Sequence, residues 1–187
     1  MKTIIVLAEK GGVGKTMIAD EITFSLERSD VPVAFHEIDR QGGELHTGPP
    51  VMDPMVQVVD TPGYVSKGRD AWIEEADLVI IPTEPGGNSE KEPFINTLVA
   101  CYKKNKDVLV LLNKKTGNKS CKDLSKALSE LPFDVEVISI PRREDIVKAS
   151  LKHKSVVEYK RNSDAAKQVL KAVNRIREKI GFFPEER

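Results

Sequence analysis

The stretch TIIVLAEKGGVGKT, residues 3–16, constrains what this chain can fold into more than any other. A short apolar, β-branched run ends in a glycine cluster, and the cluster hands over at once to a helix-forming segment. A strand that stops at glycines and restarts as a helix gathers backbone N–H groups at one point, with the positive end of the helix dipole behind them. Glycines at 11, 12 and 14 reach backbone conformations closed to other residues and can turn their N–H groups inward as a nest for an anion. The run nearly satisfies the phosphate-loop pattern G-x-x-x-x-G-K-[ST], with Glu9 at the first glycine position. Gly11, Gly12, Val13, Gly14, Lys15, Thr16 and Met17 are therefore expected to cradle a nucleotide's phosphates. In that pattern Lys15 reaches the β- and γ-phosphates and the Thr16 hydroxyl ligates Mg²⁺. A second lysine, Lys10, stands on the other side of the glycines. The residues alone leave it either a solvated loop lysine or a cation useful where charge develops during phosphoryl transfer.

The rest of the chain repeats the same alternation. Apolar runs at residues 31–38, 56–59, 78–81, 108–112 and 135–140 read as strands buried on both faces. Residues 15–28, with Ile18, Ile22 and Leu26 at helical spacing, read as an amphipathic helix, as do 92–103, 122–131, 144–151 and 164–180. Strands alternating with helices build βαβ units, so the expected fold class is α/β: a doubly wound, mostly parallel sheet with helices on both faces. At 187 residues, with no linker or repeat, one domain spanning 1–187 is expected.

Two isolated cysteines, Cys101 and Cys121, without neighbouring histidines, give neither a zinc pattern nor a disulfide framework. No run approaches the length of a membrane span, and a reducing cytoplasm is the expected location. Net charge is zero, but residues 141–187 hold 13 Lys/Arg against 7 Asp/Glu, leaving this quarter at +6 and the rest at −6.

Further along, VVDTPG (58–63) sets Asp60 at the end of an apolar strand, where a carboxylate can hold Mg²⁺ or its bound water. In LLNKKTG (111–117), Asn113 and Lys114 match the start of the guanine-reading N-K-x-D. Thr116 replaces the aspartate, so adenine is favoured and ATP is the expected nucleotide.

KGGVGKT resembles the deviant Walker A signature K-G-G-x-G-K-[ST] of the ParA/MinD superfamily of ATPases. The likeness continues through VVDTPG, HEIDRQGG (36–43), the Asn113 segment and SIPRRED (139–145) in the family's order. It implies a dimer in which two copies sandwich two ATP molecules and Lys10 is lent to the neighbouring subunit's site. It further implies that Asp39, on the second Asp of a D-x-D-P-Q segment, lies near the Mg²⁺ shell and the attacking water. Lys10, Lys15 and Asp39 would then be catalytic, and Thr16, Asp39 and Asp60 would serve the metal. Asn113, Pro141 and Arg142 would flank the base. Glu37 and Arg40 depart from that segment's first Asp and its Pro.

The resemblance leaves the partner open. ParA-type proteins bind DNA non-specifically and work with a centromere-binding, stimulating partner protein. For this chain the candidate surface is Arg142, Arg143, Lys148, Lys152, Lys154, Lys160 and Arg161. MinD-type proteins bind membrane through a C-terminal amphipathic helix. Here Val169, Val173, Ile176 and Ile180 form an apolar stripe, but core packing is the favoured reading and membrane binding is not expected. A small-molecule enzyme related to dethiobiotin synthetase is the third possibility. It would need polar residues beside the γ-phosphate, and no such set stands out. The reading adopted is a ParA-type ATPase switch that drives plasmid DNA partition or positioning. The helix usual between Asp39 and Val56 is expected to be reduced to a Gly/Pro loop.

Overall fold

The computed structural model describes residues 1–38, 46, 50–63, 68–85, 88–115 and 119–185. Its centre is a parallel sheet of β1 (Lys2–Val6), β2 (Val33–Glu37), β3 (Val56–Asp60), β4 (Leu78–Thr83), β5 (Asp107–Lys115) and β6 (Glu136–Pro141), in the order β2-β3-β1-β4-β5-β6. Each strand pairing among the described residues is parallel. The consecutive strands β3 and β4 flank β1 on opposite sides, so the chain crosses over at β1 and leaves a crevice beyond its carboxyl end.

Both faces are covered, which is why the strands read as unbroken apolar runs. Ile4, Val6, Val58, Ile80 and Leu111 face one layer, formed by α1 (Lys15–Glu27), α5 (Glu144–Ser150), α6 (Val156–Tyr159) and α7 (Asp164–Lys179). Their neighbours Ile5, Val59, Val79, Ile81 and Val110 face the other, formed by α2 (Arg69–Glu75), α3 (Asn88–Lys103) and α4 (Lys119–Ser129). Each fully buried Ile or Leu contributes about 1.5–3 kcal/mol of transfer free energy.

Two helices escape the periodicity. In α2 only Ile73 is buried, and the four-residue α6 is too short to show a period. α3 begins at Asn88 rather than Glu92 and carries Pro93 inside it; proline removes one helical donor, which disguises the first turn. Residues 50–55 form no helix, while 39–45 and 47–49, where the reduced loop is expected, lie outside the described residues.

The stripe Val169, Val173, Ile176 and Ile180 is buried in the core beside α1, as the core-packing reading of the last helix expects. Arg177, also buried, donates to the Ser25 and Phe183 carbonyls. Glu185 accepts from Arg28 and Ser25, so the tail is tied down on α1.

Two further titratable groups are buried at α1, one on the helix and one packed against it. Glu21 accepts from Ser155 Oγ at 2.7 Å and from the Val156 N–H at 2.6 Å, capping α6; burial nonetheless pushes its carboxyl up to about 7. The His46 ring lies between those of Phe24 and Phe35, 3.2 Å from the Asp20 carboxylate and 3.4 Å from that of Glu27. Burial opposes its protonation, but the two carboxylates outweigh it and carry the imidazole up to about 9.

Candidate nucleotide site

The loop leaving β1 sits in the crevice at the crossover, where four strand ends converge. Gly12 and Gly14 have φ of +78° and +93°, the left-handed region that glycine enters without strain. Gly14 is required for a second reason: a Cβ there would lie 2.3 Å from Asn113 Nδ2. Asn113, 4% exposed near the end of β5, donates from that nitrogen to the Val13 carbonyl at 2.9 Å. Asn113 thus secures the loop itself, a role its match to a base-reading motif does not suggest. Ile18 N–H bonds the Gly14 carbonyl as α1 begins, while Gly11 and Gly12 remain exposed at the open side of the nest.

Lys15, the first residue of α1, is 6% exposed. Gly63 faces it: a Cβ on Gly63 would stand 3.5 Å from Lys15 Nζ and 3.3 Å from Gly11 Cα. The segment after β3 therefore approaches the glycine loop at Gly63, where a side chain would fill the space. Thr16 Oγ1 donates to Asp60 Oδ2 at 2.6 Å. Asp60 and Thr61 are both fully buried, and Thr61 bonds the Val6 carbonyl, locking the end of β3 to that of β1. A hydroxyl and a buried carboxylate in contact, beside a buried ammonium and a loop with two left-handed glycines, form a set of hard oxygen donors next to a glycine-rich turn.

The sequence-derived candidates divide into four groups. Lys10, Gly11 to Thr16, Asp60 and Asn113 converge on the crevice. Met17 packs its side chain against the core and under the loop, its Cε 3.7 Å from the Cβ position of Gly14. Pro141 ends β6 in register with Lys115, one strand beyond β5, and Arg142 follows it exposed to solvent. Asp39 lies outside the described residues.

Sequence reasoning missed several partners of the loop. Glu9, at the position of the absent first glycine, accepts from Arg69 Nη1 at 2.8 Å and from Thr97 Oγ1 at 3.1 Å. Lys10 Nζ lies 3.0 Å from Glu84 Oε1. Glu9, Lys10, Glu84 and Thr97 border a cavity of about 280 Å³, lined also by Val13, Pro82, Thr83 and Phe94. A partly polar pocket therefore does adjoin the loop, assembled from residues more than seventy positions apart.

In the C-terminal basic set, Arg142, Arg143, Lys154 and Arg161 are exposed. Lys148 and Lys160 are paired with Glu144 and Asp145, and Lys152 stands over the Tyr159 ring.

The model of the family described as the CobQ/CobB/MinD/ParA nucleotide binding domain matches residues 4–156. No curated protein matches the chain in sequence. Solved structures resemble it throughout. The septum site-determining protein MinD of Pyrococcus horikoshii, complexed with Mg-ADP, has 14% identity and a TM-score of 0.77, over 96% of this chain and 97% of that one. An ATP complex of a McdA variant from Cyanothece has 16% identity and a TM-score of 0.78, over 100% and 99%. A ParA family ATPase of Chlorobium tepidum has 17% identity and a TM-score of 0.69, over 92% and 97%. At such identities the likeness is one of fold.

Proposed function

The chain belongs to the family of CobQ/CobB/MinD/ParA nucleotide-binding domains, and on that premise we propose that it is an ATP-hydrolysing switch of the ParA type. The observation that carries the reading is the contact of Thr16 with the buried Asp60 beside Lys15 and the glycine nest. Inward amides and Lys15 bind and orient the triphosphate. Thr16 and Asp60 are hard oxygen donors suited to Mg²⁺, which when bound neutralises charge on the β- and γ-oxygens. Water oxygen attacks the γ-phosphorus, the bond to the bridging oxygen breaks, and ADP and phosphate leave. Asp39 is the proposed orienter of that water. Lys10 is the proposed cation lent to a second copy, so that two chains close over two nucleotides.

Of the two surface readings, DNA is favoured over membrane. The apolar stripe a membrane anchor would expose is inside the core, and among the described residues no helix is long and apolar enough to cross a bilayer. The exposed Arg142, Arg143 and Lys154 near α5 supply the kind of surface that non-specific phosphate contact needs. A partner protein that stimulates hydrolysis completes the proposal. The cavity beside Lys10 favours, as a second reading, an enzyme acting on a small molecule.

One set of assays separates these readings. The switch releases phosphate slowly from ATP·Mg²⁺ with no added small molecule, and pellets with plasmid DNA in ATP but not ADP, less so as salt rises. ATP-dependent pelleting with anionic liposomes instead would turn the reading to the MinD type. No phosphate release and no pelleting would remove the switch.

A further inference from the structure

We propose that Glu84 is a positioning residue that holds Lys10 against its own chain and so opposes closure of the two-copy assembly until nucleotide is bound. The inference rests on the trans role given to Lys10 above. The two side chains are 74 positions apart, but their carriers are fixed. β4 runs parallel to β1 with Val6 opposite Ile80, and the Leu7 N–H bonds the Ile80 carbonyl. Glu84 is the first residue beyond β4, and Lys10 follows Glu9, itself tethered to Arg69 and Thr97. Both ends of the pair therefore spring from anchored backbone, and the 3.0 Å contact needs no ordering of a long loop.

The pair is placed where it can be exchanged. The Lys10 side chain is 40% exposed and that of Glu84 22%, at the rim of the cavity and not inside the core. An ion pair of that exposure shifts an equilibrium by at most about fivefold. That is weak enough for a triphosphate to outbid, and strong enough to bias the single chain toward retaining its lysine. Glu84 also sets a carboxylate beside the ammonium that must approach a second copy's phosphates, so leaving the pair and meeting the anion are linked events. In a symmetric assembly two such pairs open together and their effects multiply.

The test uses the full chain and two readouts. In nucleotide-free single chains, acylation of Lys10 by an amine-reactive ester is followed by mass spectrometry. Glu84→Gln is expected to speed labelling at Lys10 several-fold, with Lys2 as the internal reference. At saturating non-hydrolysable ATP analogue and Mg²⁺, sedimentation then gives the dimer dissociation constant. Glu84→Gln is expected to tighten it several-fold, up to about 25-fold when both pairs count, with Glu84→Ala moving the same way. Unchanged Lys10 labelling in both variants overturns the hold. Faster labelling with an unchanged dissociation constant overturns its opposition to closure. If the wild type stays a single chain at saturating analogue while labelling still responds to Glu84, the trans reading fails, and the gating proposed here fails with it.

Discussion

The crevice at the carboxyl end of β1 and the basic quarter from Pro141 onward both concentrate charge, yet they hold it in opposite ways. In the crevice, Lys15 and Asp60 are buried, and Asp60 meets Thr16 at 2.6 Å. Along α5 and α6, Lys148 and Lys160 lie in water beside Glu144 and Asp145. Burying a charge is costly unless a partner is ready for it, so a chain that places several at the ends of its central strands keeps them for a ligand. Charges in water cost almost nothing and bind by number, not by geometry. On the proposed reading, the first region takes one polyanion in one orientation. The second suits a surface met anywhere along its length.

The comparison breaks most visibly at Lys15. Lys15→Ala is expected to weaken ATP binding roughly 100-fold or more, since charge-assisted contacts in a buried site are worth about 1.5–3 kcal/mol each. Equilibrium titration with a fluorescent ATP analogue checks it, and near-normal affinity would place the phosphates elsewhere.

Next in size is Gly14→Ala, which forces alanine into φ +93° and drives its methyl into the Asn113 amide. A loss of about 1–3 kcal/mol in urea unfolding is expected, together with loss of nucleotide binding. Asn113→Ala should then relieve the clash but not the strained φ, recovering only part of that loss.

A smaller effect sharpens the contrast between buried and exposed charge. His46 is raised from 6.5 to about 9, so the folded state binds its proton more tightly and the stability it adds is full below pH 6.5 and gone above about 9. Glu21, raised from 4.5 to about 7, loses its contribution between those values as pH climbs. Thermal stability should therefore fall from pH 5 to 9. His46→Gln should flatten the upper half of the curve and Glu21→Gln the lower, as read by calorimetry at fixed ionic strength.

The smallest change is expected at the surface pairs. Glu144→Gln combined with Asp145→Asn releases Lys148 and Lys160. It should leave the melting temperature within about 2 °C while strengthening salt-sensitive DNA pelleting. Weaker pelleting would take this face out of the DNA reading.

What could be read in the chain itself follows the same division. Strands covered on both faces announce themselves, because Ile4 and Ile5 are buried in opposite layers and leave no polar alternation to misread. The glycine loop is legible because its parts are contiguous. Glu9 with Arg69, Lys10 with Glu84, and Asn113 with Val13 are not, since parallel pairing joins positions 60 to 100 residues apart and no local pattern marks the meeting. α2 stayed hidden because one buried residue makes no period. Asn113 was legible as a site residue but not as the brace of the loop, for its motif describes a base contact and its bond is to a backbone carbonyl.

The proposed switch requires that two copies share their cations over nucleotide. Analytical ultracentrifugation of the wild type and Lys10→Ala, each with Mg²⁺ and either ADP or a non-hydrolysable ATP analogue, tests it most directly. The wild type should double its mass with the analogue and not with ADP, while Lys10→Ala binds the analogue and remains largely single. A wild type that keeps one mass in both nucleotides, or a Lys10→Ala chain that dimerises as the wild type does, would contradict it.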